Sequence, residues 1–457
     1  MKFDNLLGAT AFRSSLKCRA LNAPKSTLEL IVTVDQIKEA TLYLVLALGV
    51  GAVASATANL FIQGEVIFAL LGNFMARLIS PELAENVHWM QGIALFIGAA
   101  LILQIRRVFG VTHWSGPAES MFALQYRAGP PLNTRIGTGS VLAAFVACGC
   151  GAPVGQYGPV IHLGATVSQS LRERIRAPLR PDIMLPCGIS GAITGAFNAP
   201  LAATVFVFEV MLRRYTLPAL TAVAIATTSA YFVNQAFFDH QLFLPLTVHQ
   251  PPMLAGVLAA LMAPLCALVA WSYIYSLQKL QQWSSKTTLS PRVTIAACAL
   301  TCALIGSLVP ELLGLGRQAM QNMLLGAFDL HLLIALLVGK VLLTSLCIAC
   351  GFYGGIVAPA LFVGAATGAL LAKILFLLGL GDWTPLLLVN ALAGVTAAVI
   401  GAPLTLTLLV IELTGAGING AIVVVTAYAS TWLTRRYLTP SYYQTQLNEI
   451  LVSVKNW

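Results

Sequence analysis

Charged residues are too scarce in this chain to cover a water-soluble surface. Asp, Glu, Lys and Arg make up 9% of its 457 residues and 58% are hydrophobic, whereas a soluble domain carries about 25% charged residues. Lipid is therefore the expected solvent. Several apolar runs are shorter than the ~20 residues of a full span, so an all-α membrane protein with broken or tilted helices is predicted. The runs cover residues 40–60, 93–105, 253–272, 332–350 and 386–400.

Basic residues flank the apolar part of the chain at both ends. The first forty residues are rich in Lys and Arg, and Arg435 and Arg436 follow the last apolar run. The positive-inside rule then predicts that both termini are cytoplasmic. The net charge of +9 is explained by such loops at a membrane surface, and no nucleic-acid partner is expected.

Nine cysteines are present, most of them in apolar surroundings. Cys347-x-x-Cys350 has the spacing of a metal or redox pair. The sequence offers no second pair or nearby histidine to complete such a site, so packing cysteines are the favoured interpretation. Neither a metal nor a cofactor is predicted.

Two segments 200 residues apart share one pattern. Residues 155–165 and 355–365 both read G-x-x-x-P-x-x-x-x-G-A. Glutamates also recur, because Glu209 follows Pro200 and Glu412 follows Pro403 at the same spacing of nine. The repetition predicts two homologous halves, and transporters built in this way place their substrate site between the halves.

The repeat defines the predicted domain organisation. A cytoplasmic segment precedes the first transmembrane repeat, a linker joins the repeats, and a short C-terminal segment follows the second. The boundaries are residues 1–40, 41–237, 238–252, 253–437 and 438–457.

Three loops place glycine before a proline that opens a helical run: Gly116-Pro117, Gly158-Pro159 and Gly355 to Pro359. Proline is favoured at the first helical position, and glycine lets the backbone approach a ligand closely. The first N–H groups of a helix lack intrahelical partners, and the helix dipole adds partial positive charge there. Converging helix starts of this kind predict an anion site without a buried cation. Such a site would bind weakly enough for conduction.

No pattern in the chain is typical of an enzyme. There is no spaced His/Glu metal motif, no serine nucleophile elbow and no pair of aspartates suited to catalysis. The expected activity is therefore movement of an ion rather than chemistry on a substrate.

These motifs resemble those of the CLC family of chloride channels and chloride/proton exchangers. The three family signatures appear as Trp114-Ser-Gly-Pro-Ala118, Gly155-Gln-Tyr-Gly-Pro159 and Gly355-Ile-Val-Ala-Pro359, in family order. The resemblance implies an inverted-repeat bundle of about 17–18 tilted and broken helices. It also implies a homodimer in the plasma (inner) membrane, with one anion pathway per subunit. No CBS domains are expected after the short C-terminal segment.

The resemblance also implies which residues hold the anion. The central ion would be bound by the hydroxyls of Ser115 and Tyr442 and by backbone N–H groups of Ile356 and Val357, with Gly116 in the same set. Because Ser115 and Tyr442 are retained, chloride, bromide or nitrate is expected rather than fluoride. A gate nearer the outside would consist of Gln156, Tyr157 and Gly158.

Two departures from the family bear on mechanism. Tyr157 replaces the gating glutamate, and a phenol has an ordinary pKa near 10 against about 4.3 for glutamate. Val210 stands at the lost position of the proton relay. Together these predict a passive channel for chloride or a similar small monovalent anion. The alternative is an anion/proton exchanger with an unusual proton route through Glu209, His162 or the phenol.

Three other residues have structural interpretations. Glu209 precedes the relay position, Val210, by one residue, and one residue along a helix rotates the side chain by about 100°. Glu209 should therefore face elsewhere, and its equivalence to Glu412 favours capping or pairing. His162 is expected to be hydrogen-bonded in a helix interface. Lys340, inside an apolar run, is expected to reach the membrane surface or pair with an acidic residue, although a functional role stays open.

Overall fold

The polypeptide is helical almost throughout. A computed structural model describes residues 25–79, 87–126, 132–175, 181–238, 252–415 and 422–455, and this part contains seventeen α-helices. The predicted all-α fold and helix number are confirmed. In chain order the first helices are α1 (Lys25–Ile79), α2 (Val87–Phe109), α3 (Pro117–Gln125), α4 (Thr134–Gly149), α5 (Tyr157–Arg174), α6 (Pro181–Phe197), α7 (Pro200–Phe206) and α8 (Leu217–Phe237). The remaining helices are α9 (Pro252–Lys286), α10 (Pro291–Leu308), α11 (Arg317–Leu324), α12 (Leu330–Cys350), α13 (Val357–Leu377), α14 (Thr384–Ile400), α15 (Pro403–Thr414), α16 (Val423–Leu433) and α17 (Tyr442–Lys455).

Complete and partial membrane helices occur side by side. Among the described residues, seven helices are long and apolar enough to cross a membrane, and others of similar polarity are shorter. A π-helical segment, Val207–Leu212, continues α7. The predicted mixture of spanning and broken helices is confirmed. The spanning segments are Ala40–Leu70, Gln91–Phe109, Leu217–Phe237, Gly256–Lys286, Pro291–Leu308, Leu330–Cys350 and Val357–Leu377.

Proline and glycine set the limits of the short helices. Pro200 and Pro403 occupy the first positions of α7 and α15, where the missing N–H costs nothing. Gly351 and Gly401 end α12 and α14 with φ values of 107° and 84°, a region that glycine enters without steric cost. The chain can therefore leave a helix inside the membrane and start another within a few residues.

Repeat-equivalent glycines bring neighbouring helices together. Gly164 of α5 lies against the backbone of Gly188 in α6. A Cβ atom added to Gly364 of α13 would lie 2.6 Å from the Cα atom of Leu392 in α14. Close backbone approach at small residues is how helices pack in lipid, where no hydrophobic force draws them together.

Buried polar side chains join helices that are distant in sequence. Asn234 of α8 accepts hydrogen bonds from Ser55 at 2.8 Å and Asn59 at 2.7 Å in α1, and donates to the Thr194 carbonyl of α6 at 2.9 Å. The Asn234 side chain therefore joins helices α1, α6 and α8, and both its amide oxygen and its amide nitrogen have hydrogen-bond partners.

The interface between α10 and α12 corrects the interpretation of the cysteines. Cys298 and Cys302 of α10 lie against Cys347 of α12, with sulfur–sulfur distances of 3.6 and 3.4 Å. The expectation that no second cysteine pair lies near Cys347-x-x-Cys350 is wrong. Residues 45 and more positions apart meet only because the two helices pack, which sequence spacing does not reveal.

Lys340 also differs from expectation. Its side chain is fully buried and donates to the carbonyls of Leu312 at 3.0 Å and Gly314 at 2.6 Å. The ammonium lies 4.8 Å from the centre of the Phe362 ring. Carbonyl dipoles and a ring face thus hold the charge, in place of the acidic partner or exposed position that was expected.

The predicted domain boundaries stay predictions. Residues 1–24 and 239–251 lie outside the described residues, and these include much of the segment 1–40 and of the linker 238–252. The described halves are nevertheless related by matched contacts, such as the antiparallel pairing of Gly155 with Gly355.

Candidate functional site

The two Gly-x-x-x-Pro loops meet at their first glycines. The N–H of Gly155 donates to the carbonyl of Gly355 at 2.7 Å, and the N–H of Gly355 donates back to Gly155 at 2.5 Å. The pairing is antiparallel and joins equivalent positions of the repeat. It therefore relates the loops by a local two-fold arrangement and brings the starts of α5 and α13 face to face.

Glycine is required at this crossing. A Cβ atom on Gly158 would lie 2.9 Å from the Cα atom of Gly355, and one on Gly355 would lie 2.6 Å from the nitrogen of Gly158. Real Cβ atoms are not found so close to backbone, so any side chain would separate the two helix starts.

The N-termini of α5 and α13 carry backbone N–H groups that have no hydrogen-bond acceptor among the described residues. In the part of the chain that the structure describes, no protein group accepts from the N–H groups of Tyr157, Gly158, Ile356 or Val357. Unpaired N–H groups at a helix start, together with the helix dipole, bind anions. The crossing thus collects four donors without a formal positive charge.

The starts of α7 and α15 are built in the opposite way. Glu412 accepts from the N–H groups of Leu201 and Ala202 at 3.1 and 2.9 Å. Glu209 accepts from Leu404 and Thr405 at 3.0 and 2.8 Å. Carboxylates of the protein already satisfy these helix starts, so the α5–α13 pair is the one left for an external anion.

A cavity of about 530 Å³ opens onto this crossing. Gly116, Gly158, Gly355, Ile356 and Tyr442 all line it. Four of the predicted site residues, Gly116, Gly158, Ile356 and Tyr442, therefore surround one space, although they come from four separate parts of the chain.

The Tyr442 hydroxyl is oriented by two amides. It accepts from Gln281 at 2.9 Å and from Gln446 at 3.1 Å. With both acceptor positions used, the phenolic hydrogen is the group left to donate, which is the polarity that an anion needs. The adjacent Tyr443 also lines the cavity, but no partner of its hydroxyl is found among the described residues.

Ser115 is fixed by its backbone. Its N–H donates to Ser140 Oγ at 2.9 Å, and its carbonyl accepts from the Tyr353 hydroxyl at 2.5 Å. Within the described residues its own hydroxyl makes no hydrogen bond, and its neighbours Trp114 and Gly116 line the cavity.

Gly116 already uses its N–H within the protein. This group donates to Glu119 Oε2 at 2.6 Å at the start of α3. The assignment of Gly116 to the anion site stays a prediction, and any contribution would come from other parts of the residue. A glutamate three residues after the N-cap commonly bonds back to the N-cap N–H, so Glu119 was the signal for this contact in the sequence.

Tyr157 closes the other side of the crossing. Its ring stacks on Phe197 with centroids 3.8 Å apart and an interplanar angle of 25°. Both rings line a small apolar pocket of about 30 Å³, together with Val357. The adjacent Gly158 lines the large cavity instead, so the start of α5 borders two separate spaces.

The voltage gated chloride channel model matches residues 93–435. The chain belongs to this family. That family, abbreviated CLC, comprises channels and transporters rather than enzymes, in line with the sequence prediction.

Curated relatives include both modes of transport. The H(+)/Cl(-) exchange transporter ClcA of Vibrio cholerae serotype O1 is 31% identical over 290 residues, covering 59% of this chain and 60% of the relative. The voltage-gated ClC-type chloride channel ClcB of Citrobacter koseri is 25% identical over 285 residues, covering 60% and 67%. The alignment with the exchanger thus spans less than two thirds of its length.

Solved structures share the fold. A slow cyanobacterial Cl-/H+ antiporter aligns with a TM-score of 0.78 at 23% identity, covering 90% of this chain and 98% of that one. A CLC-type fluoride/proton antiporter aligns with a TM-score of 0.70 at 20% identity, covering 89% and 98%. The predicted CLC-type bundle is confirmed.

The position at which the family resemblance implies a lost proton relay is apolar. Val210 is buried, and its carbonyl accepts from the Gln125 amide at 3.2 Å. The neighbouring Glu209 faces the start of α15 instead, as its repeat equivalence to Glu412 predicted. His162 is likewise a structural residue, since its Nδ1 atom lies 2.9 Å from the Ser120 hydroxyl in a buried interface of α5 and α3.

Glu65 is a buried acidic residue that sequence reasoning missed. It is buried in α1 with no hydrogen-bond partner for Oε1 among the described residues. Its carboxyl interacts with the Cys148 thiol and electrostatically with the Tyr157 hydroxyl. A lone acidic residue inside an apolar run is a functional signal in membrane proteins. Gln156, at the N-cap of α5, is also buried with an unpaired Oε1 atom.

Proposed function

We propose that this protein conducts chloride, or a similar small monovalent anion, passively across a membrane. The observation that carries the proposal is the pair of helix starts at α5 and α13, which cross at Gly155 and Gly355, carry four unpaired N–H groups and border a cavity. Hydroxyls of Ser115 and Tyr442 complete a site that suits chloride, bromide or nitrate better than fluoride. Such a site binds by dipoles, so release is fast enough for conduction.

The absence of proton coupling is supported by two side chains. In the exchange mechanism that the family resemblance implies, a carboxylate leaves the anion pathway when it is protonated. Tyr157 occupies that position with a ring stacked on Phe197, and a phenol stays neutral at ordinary pH. Val210 has no proton to relay. Gln156, in place of a cation, weakens anion binding at the outer end.

Flux measurements in liposomes test the proposal. Purified protein is reconstituted with a chloride gradient, and chloride efflux and internal pH are recorded with and without a proton ionophore. Passive conduction predicts efflux that needs a potassium ionophore for charge balance and moves no protons uphill. Steady uphill proton movement driven by the chloride gradient alone would contradict the channel proposal.

Anion/proton exchange is the second candidate, and Glu65 is what favours it. Glu65 is a buried carboxyl on α1 that interacts electrostatically with Tyr157. It could supply the proton-handling carboxylate that Tyr157 replaces, which is consistent with the likeness to the Vibrio exchanger. Under this alternative, Glu65→Gln would abolish proton flux while chloride flux continues. Under the channel proposal, neither protein moves protons.

The setting of the channel is also proposed. We expect a homodimer in the plasma membrane, with lipid around it, one pathway in each subunit and both termini in the cytoplasm. The basic residues Arg435 and Arg436 after the last apolar run support the orientation. Cross-linking in native membranes and protease protection of terminal tags check these two expectations.

A further inference from the structure

Three cysteines from two helices meet where α10 packs against α12. On α10, Cys298 and Cys302 lie one helical turn apart, and Cys347 of α12 faces them. All three sulfur atoms lie within 4.8 Å of one another and all three residues are buried. Cys350, one turn after Cys347, interacts through its thiol with Cys298.

We propose that this cluster binds one thiophilic metal ion, Zn²⁺ or Cu⁺, through Cys298, Cys302 and Cys347. Thiolates select these soft cations over Mg²⁺ or Ca²⁺. Binding requires no redox change: the metal displaces thiol protons, which leave to solvent, and metal–sulfur bonds form.

The sulfur spacing fits such an ion. With a Zn–S bond of about 2.3 Å, tetrahedral geometry separates ligand sulfurs by about 3.8 Å. The observed distances from Cys347 are 3.4 Å to Cys302 and 3.6 Å to Cys298. Small side-chain rotations reach the metal geometry, without a shift of either helix.

Charge balance also favours the site. Zn²⁺ with three thiolates, or Cu⁺ with two, carries a net charge of −1. Lys340, buried on the same helix as Cys347, interacts electrostatically with Cys302 and Cys347. Its ammonium offsets the remaining charge, which matters because an unpaired charge in low dielectric is costly.

The cluster is also connected to the anion site by the chain itself. Cys350 is the last residue of α12, and the segment after it leads through Gly351 to Gly355 and Ile356. Gly351 and Ile356 both line the large cavity. A metal bridge between α10 and α12 would therefore fix the end of the helix from which the α13 loop departs.

Metal content is the direct test, and it does not depend on the transport activity. Full-length protein purified with a phosphine reductant is exposed to Zn²⁺ or, in a separate arm, to Cu⁺, and excess metal is removed by desalting. We expect one metal ion per chain by elemental mass spectrometry in at least one arm. The Cys302→Ser/Cys347→Ser double variant should retain less than a tenth of it.

A matched control uses buried cysteines outside the cluster. Cys187→Ser/Cys266→Ser should bind as much metal as the wild type, and Co²⁺ should give it, like the wild type, a thiolate charge-transfer band. Equal metal in the wild type and the Cys302→Ser/Cys347→Ser variant would refute the site. So would a disulfide, seen as loss of two hydrogens in the intact mass, without bound metal under reducing conditions.

Misfolding of the double variant is controlled separately. The single variant Cys302→Ala keeps the core apolar and should lose metal while eluting as the wild type on size exclusion. Zn²⁺ or Cu⁺ should also raise the melting temperature of the wild type and of the control, and leave that of Cys302→Ala unchanged. A shift of equal size in all three would overturn the assignment.

Discussion

Glu209 and Glu412 each cap the helix that carries the other. Glu209, in the π-helical continuation of α7, accepts from two N–H groups at the start of α15, and Glu412 of α15 accepts from two at the start of α7. Glu209 gains a further bond of 2.6 Å from the Thr405 hydroxyl. The exchange of equivalent contacts relates the halves by a local two-fold arrangement. It also commits both carboxylates to the protein, which leaves neither as a proton carrier.

Removing either cap should destabilise the protein to a similar extent. Hydrogen bonds to charged groups contribute about 1.5–3 kcal/mol each. Glu209→Ala and Glu412→Ala should therefore each lower the free energy of unfolding by roughly 3 kcal/mol. Chemical unfolding in detergent micelles measures the effect. Glu311→Ala, at a glutamate outside the caps, is the control. Unchanged stability in both cap variants would contradict the structural role.

The Tyr157–Phe197 stack should limit the anion flux. Tyr157→Ala removes the bulky ring at the proposed gate, and chloride efflux from liposomes should rise several-fold. Tyr157→Phe keeps the ring and should conduct like the wild type, since the stack and not the hydroxyl blocks the path. If the alanine variant matched the wild type in both flux and anion binding, Tyr157 would not line the pathway.

Local sequence rules could predict the helix starts, because glycine and proline act within a few residues. The convergence of Gly116, Gly158, Gly355 and Tyr442 followed from the family resemblance, and the cavity is consistent with it. The occupied N–H of Gly116 was missed, although the Glu119 spacing signalled it. Contacts between distant helices, such as Cys302 with Cys347, could not be predicted, because their partners are chosen by packing rather than by spacing.

Tyr442 should contribute to anion affinity through its hydroxyl. Tyr442→Phe removes one donor, and a hydrogen bond to a charged group is worth about 1.5–3 kcal/mol, so chloride affinity should fall by about tenfold or more at 1.4 kcal/mol per tenfold. Isothermal titration with chloride or bromide measures it. Tyr443→Phe is the matched control and should bind normally. A larger loss in the Tyr443 variant would reverse the assignment of the pore tyrosine.

Contact between Gly158 and Gly355 should be intolerant of any side chain. Gly355→Ala would place a methyl group 2.6 Å from the Gly158 nitrogen, so the starts of α5 and α13 must move apart. Their unpaired N–H groups would then be displaced from the proposed anion site. Anion binding should fall below detection while the helical content by circular dichroism is kept. Gly49→Ala, in α1 where an added Cβ would have no neighbour within 4 Å, controls for the general effect of the substitution. Normal binding in Gly355→Ala would show that the crossing is not the anion site.

Glu65 should make the flux depend on pH. Its carboxyl is buried in α1 and interacts electrostatically with the Tyr157 hydroxyl, so in its charged form it repels an anion at the proposed gate. Protonation removes that charge, so chloride flux through the wild type should increase as the pH is lowered. Glu65→Gln mimics the protonated form and should give a high flux that no longer varies with pH. Stopped-flow efflux between acidic and neutral pH distinguishes the two proteins.

An unchanged pH profile in Glu65→Gln would remove the residue from the gate. Loss of proton movement in that variant, had the wild type moved protons, would instead assign it to an exchange mechanism.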